Sequence, residues 1–152
     1  MAFAARSDLA TYQPDIGNMG LSTSQQDTYV TQAIADVKRD IRNKWWSVFQ
    51  ANKVRDRSYI GSVEMTDSKL TDSQWTRATV YRCLGFYLCP ALTKFNSSGD
   101  EDRFQQMGSF YRTAYEEEFN DILRDGVEYD QDGDSSISNS EKEAVHQLRL
   151  VR

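Results

Sequence analysis

Residues 27–50 read "DTYVTQAIADVKRDIRNKWWSVFQ", and the spacing of their apolar side chains decides the fold. Val30, Ile34, Val37, Ile41, Trp45 and Phe49 follow one another in steps of three or four. An α-helix turns once every ~3.6 residues, so these side chains share one stripe down one face. The Ser22-to-Ser24 stretch supplies hydroxyls that cap its first turn, and the helix is predicted to end near Ala51–Asn52. Trp45 and Trp46 are neighbours, so they cannot both face one core squarely. Either one of them serves an interface, or the apolar face widens at this end.

Outward from this helix the pattern stays helical. Toward the N-terminus, Ser7–Asp8 can cap a short helix around "DLATY", which Pro14 ends, and "IGNMGLSTS" is a loop. Toward the C-terminus, "RDRSYIGSVEMTDSK" is a polar connector. Its Tyr59–Val63 portion suits a short strand, a hairpin arm or an extended loop. Thr71–Asp72 caps a second long helix with Trp75, Val80, Leu84 and Leu88 on or near its inner face. Pro90 is expected to kink or break it, because proline lacks a backbone donor and crowds the preceding turn. "NSSGDED" is a loop. A third long helix starts near Asp100, carries Phe104, Met107, Tyr111, Ala114, Phe119 and Ile122, and is stopped by Gly126. "EEEF" at 116–119 reads as a solvated face. A last helix is expected from about Asn139 toward Leu148. The fold class is therefore all-α, a small bundle of three long helices with short terminal helices.

The bulk properties agree. A chain of 152 residues with 39% hydrophobic and 12% aromatic content is a globular domain, read here as one domain over 1–152, with 126–152 as its C-terminal loop and helix. The longest apolar run, "VYRCLGFYLCPAL", is interrupted by Arg82 and Pro90, so no membrane partner is expected. The opening "MAFAARSDLATYQPD" has no basic start followed by an apolar core, and no signal peptide is expected. Cys83 and Cys89 lie six apart in a helix, about 240° around and roughly 9 Å along it, too far to pair. They read as reduced, near-core residues. A metal pair is the other reading, which no nearby histidine or second cysteine pair supports.

The net charge of −5 is unevenly placed. From Asp36 to Arg57 seven Lys or Arg face three Asp, whereas from Asp100 to Arg152 fourteen Asp or Glu face six Lys or Arg. Two solvated faces account for this. So does a subunit whose basic side meets a neighbour's acidic side.

One motif carries chemistry. In "DQDGDSSISNSE", residues 130–141, Asp130, Asp132 and Asp134 occupy the first, third and fifth places, Ser136 the seventh, Ser138 the ninth and Glu141 the twelfth. Those are the oxygen-ligand places of an EF-hand calcium loop. Calcium takes six to eight oxygens at about 2.3–2.6 Å, so alternate aspartates can turn inward onto one ion. Ser136 would offer its backbone carbonyl, Ser138 a bridging water, and Glu141 both carboxylate oxygens. Ile137 stands where such loops bury an aliphatic side chain. The sixth place, usually glycine, is Ser135, which must take an altered turn. A solvated acidic turn is the other reading of the stretch. Only one such loop is present, which favours a structural clamp over a sensor.

The layout resembles that of head-to-tail connector (adaptor) proteins of tailed bacteriophages. "SDLATYQPDIGNMG" resembles their opening segment and "AIADVKRDIRNKWW" their charged, aromatic-ended helix. "LTDSQWTRATVYRCLGFYLCPALTKF" and "DRFQQMGSFYRTAYEEEFNDILRDGVEYDQDGD" resemble their second and third helices, the latter with an acidic tail. The acidic loop departs from the minimal adaptor pattern. The resemblance implies a non-enzymatic virion protein made in the host cytoplasm and placed in the neck. It would form a homo-oligomeric ring of twelve copies, with portal and tail or neck proteins as partners. DNA would pass through the channel without sequence-specific binding. Lys38, Arg42, Lys44, Lys53, Arg55 and Arg57 are the candidates to face it. His146, the only histidine, reads as an exposed or capping residue, and no catalytic motif stands out. The alternative is a calcium-binding EF-hand-type regulatory or interaction protein.

Overall fold

In the computed structural model the chain is described over residues 2–55, 64–94 and 102–142, the side chains of 52–55 excepted. Among the described residues the protein is all-α. Its helices are α1 (Arg6–Tyr12), α2 (Thr23–Ile41), α3 (Ser47–Arg55), α4 (Asp72–Cys83), α5 (Cys89–Leu92) and α6 (Arg103–Asp125). A π-helical turn, Arg42–Trp46, joins α2 to α3, and another, Leu84–Leu88, joins α4 to α5. The three long helices expected from periodicity are therefore α2–α3, α4–α5 and α6. The expected strand, hairpin or loop at Tyr59–Val63 lies outside the described residues, as do most of the helix expected from Asn139 to Leu148 and His146. Asn139–Lys142 forms a 3-10 turn. No helix among the described residues is long and apolar enough to cross a membrane.

The ends of the helices follow local chemistry. At α2 the Ser22 hydroxyl accepts from the Gln25 N–H at 3.2 Å, and the Gln25 carboxamide accepts from the Ser22 N–H at 2.9 Å, a reciprocal capping box. At α1 the cap is Ala5 and not Ser7. Its N–H donates to the Asp8 carboxylate at 2.7 Å. Pro14 then opens a 3-10 turn, Pro14–Asn18. Gly126 ends α6 in the left-handed region, φ 104°, where its missing Cβ removes the steric cost.

Contacts group the chain into two compact units, where the composition shows no break. The first comprises Met1–Val37 and Asp72–Phe119, the second Lys38–Thr71 and Asn120–Arg152. The boundaries fall inside α2 and α6. In the first unit Val30, Ala33, Val80, Cys83, Leu84, Leu88, Cys89 and Tyr111 form the centre of a buried cluster with Leu9 and Ile16. Trp75, Tyr115 and Phe119 are fully buried, each worth about 1.5–3 kcal/mol over an exposed position. The Asp36 carboxylate accepts from Arg82 at 3.1 Å and from the Tyr87 hydroxyl, and the Arg82 guanidinium lies 3.9 Å over the Phe86 ring. Gly85 and Gly108 let α6 lie close. A Cβ on Gly85 would sit 2.9 Å from the Arg112 nitrogen.

The second unit is built on aromatic rings. Trp45, Trp46, Phe49 and Tyr129 are all buried, with centroids 4.8–6.2 Å apart. Both tryptophans thus turn inward. The π-helical turn inserts a residue into the ladder and widens the inward face, which a regular helix would not do. The helix also continues past the expected end at Ala51–Asn52 to Arg55.

Pro90 does not break its helix, which runs on to Leu92. In the preceding π-helical turn the Cys89 N–H donates to the Leu84 carbonyl, five residues back. The clash expected of a proline is relieved because the ladder has already opened.

Candidate metal centre

The acidic loop grows from the second unit. After Gly126 the chain is extended, and Tyr129 forms an antiparallel bridge with Leu70. The Asp130 N–H donates to the Lys69 carbonyl at 2.9 Å and the Thr71 N–H to the Glu128 carbonyl at 3.3 Å. The Lys69 ammonium donates to the Gln131 carbonyl at 3.1 Å, and Lys142 pairs with Glu128 at 3.0 Å. The loop therefore starts from a fixed point.

Within it, each aspartate folds back on the backbone ahead. Asp130 accepts from the N–H groups of Gly133 (2.6 Å) and Ser135 (3.1 Å), Asp132 from Asp134 (3.1 Å), and Asp134 from Ser136 (2.7 Å). Such turns curl the chain and keep the alternate carboxylates on the inside. Ser135 sits at φ 65°, the left-handed turn required of the sixth position, and Gly133 at φ 81°. One carboxylate oxygen from each of Asp130, Asp132 and Asp134 lies within 4.8 Å of the others. Two oxygens bound to one calcium at about 2.4 Å can be at most about 4.8 Å apart, a limit that these three oxygens meet.

Glu141 is not in this converging set. It does reach back over the loop and is buried. One oxygen accepts from the Gln131 N–H at 2.7 Å, the other from the Ser138 N–H at 2.8 Å and the Ser138 hydroxyl at 2.7 Å. The Ser138 N–H foremost, then its hydroxyl and the Gln131 N–H, hold the carboxyl down at a pKa of about 2. Ser136 gives its N–H to Asp134. Ile137 is half-buried. Glu141's role in closing the loop on its own donors was not legible from ligand spacing, which assigns it only to the ion.

Other candidates are placed elsewhere. Cys83 and Cys89 are buried free thiols, pushed up to about 12 and about 11 by desolvation, which suits core packing. Of the basic residues considered for DNA, Lys38 (3.3 Å) and Arg42 (2.8 Å) both pair with Asp67, and the side chains of Lys53, Arg55 and Arg57 lie outside the described residues. In "EEEF", Glu116 and Glu117 are exposed, while Glu118 meets Arg77 at 3.1 Å.

No family model, curated protein or solved structure matches the chain.

Proposed function

We propose that this chain is a structural subunit of a tailed-phage head-to-tail connector, steadied by one calcium ion in the Asp130–Glu141 loop. The observation that carries the calcium reading is the convergence of Asp130, Asp132 and Asp134 around a loop whose sixth residue takes the left-handed turn. Calcium would neutralise the three carboxylates. Asp130, Asp132 and Asp134 would hold it, with the Ser136 carbonyl, a Ser138-bound water and Glu141 as further oxygen sources. A clamp is favoured over a sensor because α6 stops at Gly126 and an extended segment leads into the loop. A sensor converts ion binding into a change of angle between two flanking helices, and here the incoming helix is absent.

The order and length of α2–α3, α4–α5 and α6 support the connector reading, since they follow the layout expected of such subunits. Head-to-tail rings need two different complementary patches on each copy. Portal and tail or neck proteins are the proposed partners, the neck of the virion the proposed place, and DNA the passing cargo. The test is the mass of the purified protein in solution, with and without a portal protein, in calcium and in chelator. Rings that form alone or on the portal are expected. A monomer that ignores the portal, yet exposes apolar surface when calcium is added, would instead support a calcium-dependent regulator.

A further inference from the structure

Thr66–Thr71 crosses the second unit next to the acidic loop. Its hydrogen bonds to the loop side go to four consecutive residues. The Thr66 N–H donates to the Tyr129 hydroxyl (3.2 Å), the Thr71 N–H to the Glu128 carbonyl, the Asp130 N–H to the Lys69 carbonyl, and the Lys69 ammonium to the Gln131 carbonyl. Leu70, buried, completes the bridge to Tyr129. On its other side the segment is tied by Asp67 to Lys38 and Arg42, half-exposed ion pairs of the kind that contribute little.

We infer that Thr66–Thr71 is a strap whose docking is coupled to the ion state of the loop, an inference that rests on the calcium reading above. Asp130 makes the coupling. Its N–H pairs with the strap, and its carboxylate belongs to the converging set. An ion that fixes Asp130 also fixes the edge on which the strap lies. Ordering one half lowers the entropy cost of ordering the other, and by linkage a docked strap raises ion affinity by the same factor. Without the ion the strap is the natural place for local opening, because of its six residues only Leu70 is buried and its other ties are hydrogen bonds to one edge and two weak ion pairs. Its opening uncovers Tyr129, otherwise 4% exposed, and the rings behind it.

The experiment combines calorimetric titration of the full chain with calcium and residue-resolved amide exchange in calcium and in chelator, with magnesium as a control. Exchange at Thr66, Thr71 and Asp130 is expected to slow at least tenfold with calcium. Leu70→Ala, which leaves the loop's charge unchanged, is expected to weaken calcium binding about tenfold. Calcium binding with unchanged exchange at Thr66 and Thr71 overturns the coupling and leaves the calcium reading standing, as does an unchanged affinity in a folded Leu70→Ala protein. If that variant does not fold, the wild-type exchange decides alone. No binding of calcium at millimolar concentration overturns both.

Discussion

Arg112 donates its Nε–H to the carbonyl of Gly85 at 3.0 Å, and in doing so replaces a hydrogen that Pro90 cannot provide. In a regular helix Gly85 would receive the Cys89 N–H, but that donor is turned to Leu84. In a π-helical ladder the partner of Gly85 would be residue 90, which is proline and has no N–H. The side chain of a neighbouring helix fills the gap in the ladder.

This coupling is measurable by a double-mutant cycle. Arg112→Met keeps the aliphatic stem and removes the donor. It is expected to cost about 1–3 kcal/mol by urea unfolding, the cost of an unsatisfied, partly buried carbonyl. In a Pro90→Ala background, where residue 90 regains its N–H, the cost should shrink by at least half. Equal costs in both backgrounds would show that Arg112 acts through other contacts, such as the Phe86 ring 5.4 Å from its guanidinium.

The close approach of α6 makes two glycines respond differently. An Ala at Gly85 would place its Cβ 2.9 Å and 3.1 Å from backbone atoms of Arg112 and Tyr111, so α6 must shift. The expected net loss is about 1–3 kcal/mol despite the better helix propensity of alanine. At Gly108 the nearest atom, the Cys89 Cβ, is 3.4 Å away, and alanine should be neutral to stabilising by up to about 1 kcal/mol. Thermal unfolding of the two variants decides whether the order holds.

Ser135 carries a left-handed backbone that serine tolerates poorly. Ser135→Gly keeps the N–H that Asp130 accepts and removes the Cβ. A gain of about 0.5–1 kcal/mol is expected in chelator, together with tighter calcium binding, because the loop no longer holds a strained residue at its sharpest turn. Calcium binding left untouched by this change would count against the loop as the ion site.

Acid should loosen the loop through Glu141. Its folded pKa, about 2, lies below the ordinary value of 4.5. A depressed carboxyl contributes its full stabilisation above the unfolded value and loses it as pH falls through the folded one. The loss therefore runs from about pH 4.5 down to about pH 2. The urea midpoint of wild type should fall more steeply across this window than that of Glu141→Gln, which has no carboxyl to protonate. Parallel profiles would mean that Glu141's bonds to Ser138 and Gln131 do not contribute.

Much of this was legible because it is local. The stripe from Val30 to Phe49, the Ser22–Gln25 box, the stop at Gly126 and the unusual turn at Ser135 each depend on residues a few places apart. The acidic loop was legible for the same reason. What escaped depends on distant partners. Nothing near Pro90 reveals that Arg112, from another helix, will complete the ladder, so a kink or break was the natural expectation. Nothing near Trp46 reveals that Tyr129 will arrive beside it, so an outward-facing ring was an open choice. Tyr115 is fully buried four residues after Tyr111, but Ala114 beside it suits the same stripe at a step of three, and spacing alone does not choose between them. Asp67 draws in Lys38 and Arg42, which charge counting along the chain leaves looking available.

The tryptophans are divided between the two units. Trp45 and Trp46 crowd against Tyr129, whereas Trp75 lies with Phe3 and Phe119. Indole emission is sensitive to such surroundings, so the molecule carries an optical reporter in each half. Replacing Trp75 with phenylalanine leaves light from one half, and replacing the adjacent pair leaves light from the other. Whether the halves melt in one step or two can then be read without attaching a dye.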